Sequence, residues 1–183
     1  LADGAISEDT ATTARGLTYP SGPPPEAGQA VEVAPGVLWL RLPLPMALDH
    51  INVYAIEDGD GWTLIDTGLQ TDASKEAWDL LLAGPLGGRA VKRVICTHMH
   101  PDHIGLAGWL CTRFDAPLLM SRLEYVTGRM LISDVGPAPE SGAEFYRRAG
   151  WSEDQVQAWR DGFGRFGSAV EPLPPGYVRL AEG

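Results

Sequence analysis

Histidine and cysteine are scarce in this 183-residue chain, with four of the first and two of the second. Basic residues are also few. Fourteen Lys and Arg stand against 24 Asp and Glu, a net charge of −10. That balance excludes a protein built on a basic face, which nucleic acid needs so that phosphate counterions can be displaced. It also disfavours docking on an anionic membrane surface. No apolar run approaches the length that crosses a bilayer. The opening stretch "LADGAISEDTATTARG" lacks the basic start and apolar centre of a secretory signal. Cys96 and Cys111 form no C-x-x-C pair, and each reads as a small buried apolar side chain. A reduced, cytoplasmic setting is the expectation.

With 44% hydrophobic residues the chain has enough apolar material for a packed core. Residues 1–30 read as an extended arm or linker, because "YPSGPPPEAGQA" carries four of the fifteen prolines and no apolar period. From residue 31 the pattern becomes regular. "VEVAPGVLWLRLPL" suggests strands around a Pro-Gly turn, and "HINVYAIEDGDGWTLIDTG" suggests a hairpin around Asp-Gly-Asp-Gly. In "TDASKEAWDLLLAG", Thr71 or Asp72 can cap a helix with Ala77, Leu80 and Leu81 on one face. "AVKRVICTH" reads as a buried strand, "HIGLAGWLCTRF" as a helix beginning near His103, and "APLLMS" as a short strand.

The resulting order, β-β-β-α-β-α-β over residues 31–121, predicts an α/β layered fold with helices on at least one sheet face. Residues 122–170 read as a helical insertion or cap, with "SEDQ" at Ser152–Gln155 as a capping box. Its residues Tyr125, Met130, Phe145, Tyr146, Trp151, Trp159, Phe163 and Phe166 suit either helix packing or an apolar substrate pocket. The final "YVRLAEG" reads as the first strand of a new hairpin.

The histidines that do exist are concentrated. Three of the four fall between His98 and His103, in the order His98-x-His100-x-Asp102-His103. Alternate residues of an extended segment point the same way, so His98, His100 and Asp102 can face one pocket. Pro101 stiffens the turn that brings His103 beside them. Imidazole and carboxylate together suit zinc, iron or manganese. Four such donors in one loop exceed what a single ion usually takes from it, and two ions about 3.5–4 Å apart explain them better.

"THMHPDHIG" closely resembles the H-x-H-x-D-H signature of the metallo-β-lactamase superfamily. "LIDTG", Leu64 to Gly68, resembles the superfamily's first motif, and "HINVYAI" the strand before it. The order "LPLPMALDHINVYAIEDGDGWTLIDTG" is most similar to its bacterial, glyoxalase-II-like hydrolases with a helical insertion. The resemblance implies a four-layered αβ/βα sandwich with two metals, expected to be zinc, at one edge. It implies that His98 and His100 are ligands of the first metal and Asp102 and His103 of the second. Asp66 then supports the ligand loop, as metal-bound imidazoles need a partner for their other ring nitrogen. Asp102 doubles as the catalytic carboxylate that orients or deprotonates the attacking water.

The same resemblance implies a hydrolase for a small ester, thioester or lactone. An iron-dependent oxidoreductase resembling the sulfur dioxygenases and a non-catalytic binding member are the alternatives. The superfamily draws further ligands from its second half, yet no histidine follows His103. His50 matches no ligand. Residues 31–121 are therefore expected to be the N-terminal half of the domain, with residues 171–183 beginning the second. The remainder of the same protein would then be a necessary partner, beside a small-molecule substrate, with self-association left open. Alone, such a half would expose a large apolar sheet face.

Overall fold

The computed structural model describes residues 12–14 and 16–181. Within the proline-rich first segment lies a small antiparallel hairpin, β1 (Thr12–Ala14) and β2 (Leu17–Tyr19). So part of the expected arm is paired strand, and residues 1–11 fall outside the described set.

The main sheet has seven strands in sequential order. β3 (Ala30–Ala34), β4 (Val37–Pro43), β5 (His50–Asp58) and β6 (Gly61–Ile65) form an antiparallel meander. Asp58 pairs with Gly61, leaving a two-residue loop in which Gly59 takes the positive φ that such hairpins require. From β6 onward the pairing becomes parallel through β7 (Ala90–Ile95), β8 (Leu118–Ser121) and β9 (Val178–Leu180). Four strands precede the first helix, one more than the β-β-β-α order; the pair around Pro35-Gly36 and the hairpin that follows account for all four.

Parallel neighbours need crossovers, and helices supply them. α1 (Asp72–Ala83) links β6 to β7; its cap is Thr71, whose side chain accepts from Ser74 N. Its buried stripe is Ser74, Ala77, Trp78, Leu81 and Leu82, whereas Leu80 is 61% exposed. The apolar face is thus turned one position from the sequence expectation. Trp78 takes the inner place, and its indole N–H donates to Thr67 O at 2.8 Å.

Between β7 and β8 the single helix expected from His103 is two, α2 (Pro101–Ile104) and α3 (Ala107–Phe114). The break falls at Gly105. A Cβ there would lie 2.5 Å from both Gly68 O and Pro101 O and 2.6 Å from Gln70 N. Backbone crowded on three sides leaves room for glycine alone.

The crossover helices bury one face of the sheet. Leu40, Leu42, Val53, Ala55, Leu64, Val94 and Leu118 pack with Trp78, Leu81 and Leu110 in a continuous core. Cys96 and Cys111 are both buried as free thiols within it. Burial holds the Cys96 thiol well above its ordinary pKa and pushes Cys111 to about 11.

On the other face the strand register aligns Trp39, Tyr54, Ile65, Ile95, Leu119 and Val178 in one row across six strands. Tyr54 is 36% exposed and Val178 50%.

After β8 come α4 (Arg122–Ser133), α5 (Glu140–Arg148) and α6 (Glu153–Gly162). The capping box expected at Ser152 is closed from both sides, with Ser152 N donating to Gln155 Oε1 and Gln155 N to Ser152 Oγ. Tyr146 stacks on Trp151 and also meets Trp159, which meets Phe163, so these aromatics pack α5 against α6. The stretch read as a strand at the end of the sequence is β9. It joins the existing sheet as its edge strand, parallel to β8. Among the described residues no helix is long and apolar enough to cross a membrane.

Candidate metal centre

The ends of β6 and β7 lie side by side, because Ile65 and Ile95 are in register. The two loops that leave them therefore start together, and each carries one sequence motif. Asp66 N donates to Ile95 O, closing the gap between the strands. Asp66 itself has φ 63°, an uncommon value for a non-glycine residue. That left-handed backbone turns its carboxylate under the second loop, where it is only 5% exposed.

There the carboxylate meets three donors. Oδ1 accepts from Thr97 N at 2.8 Å, and the Thr97 hydroxyl lies within 3.0 Å of both carboxylate oxygens. Oδ2 accepts from His103 Nδ1 at 2.8 Å. A carboxylate only accepts, so the Thr97 proton points to Asp66 and the His103 proton sits on Nδ1. Thr97 Oγ1 also lies 3.0 Å from His98 Nδ1. With its own proton committed, the hydroxyl must accept from His98 Nδ1–H. The donors and acceptors around the two rings thus assign both tautomers, and each leaves Nε2 as a bare lone pair.

Thr67 braces the loop from behind. Its N–H and its hydroxyl both donate to His103 O, at 2.8 and 2.7 Å, and its Oγ1 accepts from Leu106 N. Sequence reading passed over Thr67 and Thr97. Nothing in a lone threonine marks it, although both adjoin residues that the motifs single out.

The loop side chains gather as two pairs. His98 Nε2 lies 3.0 Å from His100 Nδ1, and His103 Nε2 lies 3.5 Å from Asp102 Oδ2. The His98 and His103 rings approach to 3.9 Å between centroids, which brings the pairs together. Among the described residues, no group of three or more His, Cys, Asp or Glu side chains is arranged to hold a metal ion. Two donors on one tetrahedral zinc, at about 2.05 Å each, lie roughly 3.3 Å apart. Each pair spans about that edge, so the donor chemistry fits two ions that each take two ligands from this loop.

The surroundings shift the two imidazoles in opposite directions. Burial, then the neighbouring His103 and His100, holds the His98 pKa below its ordinary value. His103 is also partly buried, which alone would lower it. The Asp66 hydrogen bond and the charges of Asp66 and Asp102 outweigh that and raise it.

His50 stands apart from this cluster. Its Nδ1 is hydrogen-bonded to Asp49 Oδ1 at the start of β5, opposite Pro43. The aromatics Tyr146, Trp151, Trp159 and Phe163 also form a group of their own. The insertion reaches the metal loop through α4 instead. Glu124 Oε2 accepts from Met99 N at 2.8 Å, and a Cβ on Gly128 would lie 3.5 Å from Met99 Cβ and 3.4 Å from Ile104 Cδ1.

Known proteins with this arrangement can be compared directly. The family model described as the metallo-beta-lactamase superfamily matches residues 46–178. A beta-lactamase domain protein from Burkholderia ambifaria superimposes with TM-score 0.73 at 37% identity, over 87% of this chain and 46% of that one. A metallo-beta-lactamase family protein from Thermus thermophilus gives TM-score 0.63 at 27% identity, over 83% of this chain and 48% of that one. The probable metallo-hydrolase YybB of Bacillus subtilis is 32% identical over 90 residues, 48% of this chain and 38% of its own length. The chain spans less than half the length of each of these relatives. The family model covers both motif loops, α4 to α6 and the strands that carry the loops, and the chain belongs to the metallo-beta-lactamase superfamily.

Proposed function

We propose that this chain carries one half of the dinuclear zinc site of a hydrolase acting on a small ester, thioester or lactone. The observation that supports it best is the pairing of donors at two tetrahedral edges, His98 with His100 and Asp102 with His103. In this reading His98 Nε2 and His100 Nδ1 hold the first ion, and Asp102 and His103 Nε2 hold the second. Zinc, when bound, supplies Lewis acidity that makes water nucleophilic near neutral pH and offsets charge developing on a carbonyl oxygen.

The chain's own residues do the rest. Asp66 and Thr97 fix the ring tautomers, so the Nε2 lone pairs are bare before any ion arrives. Asp102 is half-buried at the pocket wall, where its free oxygen can accept the proton of the attacking water. The two crossover loops that carry these groups leave the adjacent ends of β6 and β7, which holds the donors in place.

The remaining ligands come from the part of the protein that the relatives possess beyond this span. The apolar row from Trp39 to Val178, part-exposed at Tyr54 and Val178, offers that remainder a face to pack on. Elemental analysis of the intact natural protein, followed by assays on lactones, thioesters and β-lactams, tests the reading. The expected result is two zinc ions per chain with turnover of at least one ester-like class. Bound iron with oxygen consumption would overturn it in favour of an oxidoreductase.

A further inference from the structure

α4 and α6 begin with the same local pattern, a serine cap followed three residues later by a residue able to complete a capping box. At α6 the box is closed, because Gln155 Oε1 takes Ser152 N–H. At α4, Ser121 Oγ accepts from Glu124 N, but the Glu124 carboxylate is spent elsewhere, on Met99 N. We propose that Glu124 is a positioning residue for the metal loop. It clamps the one peptide N–H between His98 and His100 and so couples the helical insertion to the metal site.

Met99 is the hinge of the His98-x-His100 alternation. Residues 97–99 form a bend and not a continuation of β7, and His98 Nε2 stays 3.0 Å from His100 Nδ1 only while that bend keeps its shape. The Met99 N–H therefore needs an acceptor at a fixed place outside the strand ladder. Glu124 supplies one at 2.8 Å, from 25 positions further along the chain. The acceptor is charged, which makes the bond stronger and shorter than a neutral one.

The helix presenting it is itself held. Tyr125 Oη donates to Pro174 O at 2.7 Å and Arg129 Nη1 to Leu173 O at 3.1 Å. Tyr125 also stacks on Tyr177 at 3.9 Å. On the loop side, Gly128 lets the helix settle against Met99 and Ile104. A shift of α4, whether from substrate or from the remainder of the domain, is thereby transmitted to the His98–His100 pair.

The inference rests on His98 and His100 being metal donors, so the experiment separates the two claims. Zinc affinity of the intact protein is measured by competition with a chromogenic chelator, alongside melting of the metal-free form. Glu124→Ala should weaken binding of one zinc by roughly 10–100-fold, the range seen when supports of metal ligands are removed. Glu124→Gln keeps an acceptor oxygen and should return affinity to within about threefold of wild type. Ser121→Ala removes the cap alone and should lower melting while leaving zinc affinity unchanged.

Wild-type zinc affinity in Glu124→Ala would overturn the proposal, as would equal losses in the Ala and Gln variants. A His98→Ala/His100→Ala protein that binds zinc as wild type does would instead overturn the metal assignment beneath it.

Discussion

The loop at residues 96–105 and the helices at residues 140–162 are fastened in opposite ways. Beside its internal contacts, the loop is held by residues far away in sequence. Asp66 reaches Thr97 and His103, Thr67 reaches His103 and Leu106, and Glu124 reaches Met99. The helices are tied almost entirely to near neighbours. Ser152 closes on Gln155, Gln157 on Asp161 and Arg148 on Glu144, while Arg147 bridges Glu140 and Glu153. A loop held by distant partners keeps its shape only while the paired ends of β6 and β7 are intact. A helix pair held locally can loosen without disturbing the rest. Precision is thus concentrated where chemistry needs it, and tolerance is left in the insertion.

The largest expected effect comes from breaking the loop's backbone rather than its side chains. Gly105→Ala would push a methyl group into Gly68 O, Pro101 O and Gln70 N. None of these is the end of a flexible side chain, so the two motif loops must separate. Overpacking of this kind costs about 3 kcal/mol, at the upper end of the usual range. Both melting temperature and zinc binding of the intact protein should fall together. Wild-type metal affinity in this variant would mean that the loop tolerates movement and that the contrast with the helices is false.

A smaller effect is expected on the helical side. Ser152→Ala removes one half of a closed, exposed capping box. The loss should be about 1 kcal/mol. It should appear in denaturant unfolding followed by tryptophan fluorescence, since Trp151 precedes the cap and Trp159 lies within α6, both against Tyr146. Zinc affinity should not move. A drop in affinity would show that α6 is coupled to the metal loop, which the pattern of contacts does not provide for.

The same contrast explains what could be read from sequence. The α/β order, the hairpin at Asp58–Gly61 and the box at Ser152 were legible because their causes lie within a few residues. His98, His100, Asp102 and His103 stood out as candidate donors by residue type and spacing, and the structure brings them together as two pairs. Thr67, Thr97 and Glu124 did not, since their partners are 25 to 39 positions distant and only the folded chain unites them. Glu124 even resembles an ordinary capping residue in its local sequence. The break at Gly105 is another tertiary effect, set by Gly68 and Gln70 from the neighbouring loop. The parallel pairing of β9 was hidden too, because a three-residue strand does not declare its partner.

The smallest expected effect concerns acid. The Arg147 hydrogen bonds hold Glu140 and Glu153 below the ordinary carboxylate range, and Arg160 adds to both through its charge. Both carboxyls titrate lower in the folded protein than in the unfolded chain. Their contribution to stability is therefore complete above the unfolded carboxylate pKa and fades as pH falls through the depressed folded values. All of these groups face solvent, so the contribution is small and salt should screen it. Acidification from neutral pH should loosen the packing of α5 on α6, seen as a change in Trp151 and Trp159 emission. In Glu140→Gln/Glu153→Gln protein that part of the transition should vanish. Persistence of the full transition in the double variant would place the acid-sensitive groups outside this network, and the helices would then not be held by their local charges.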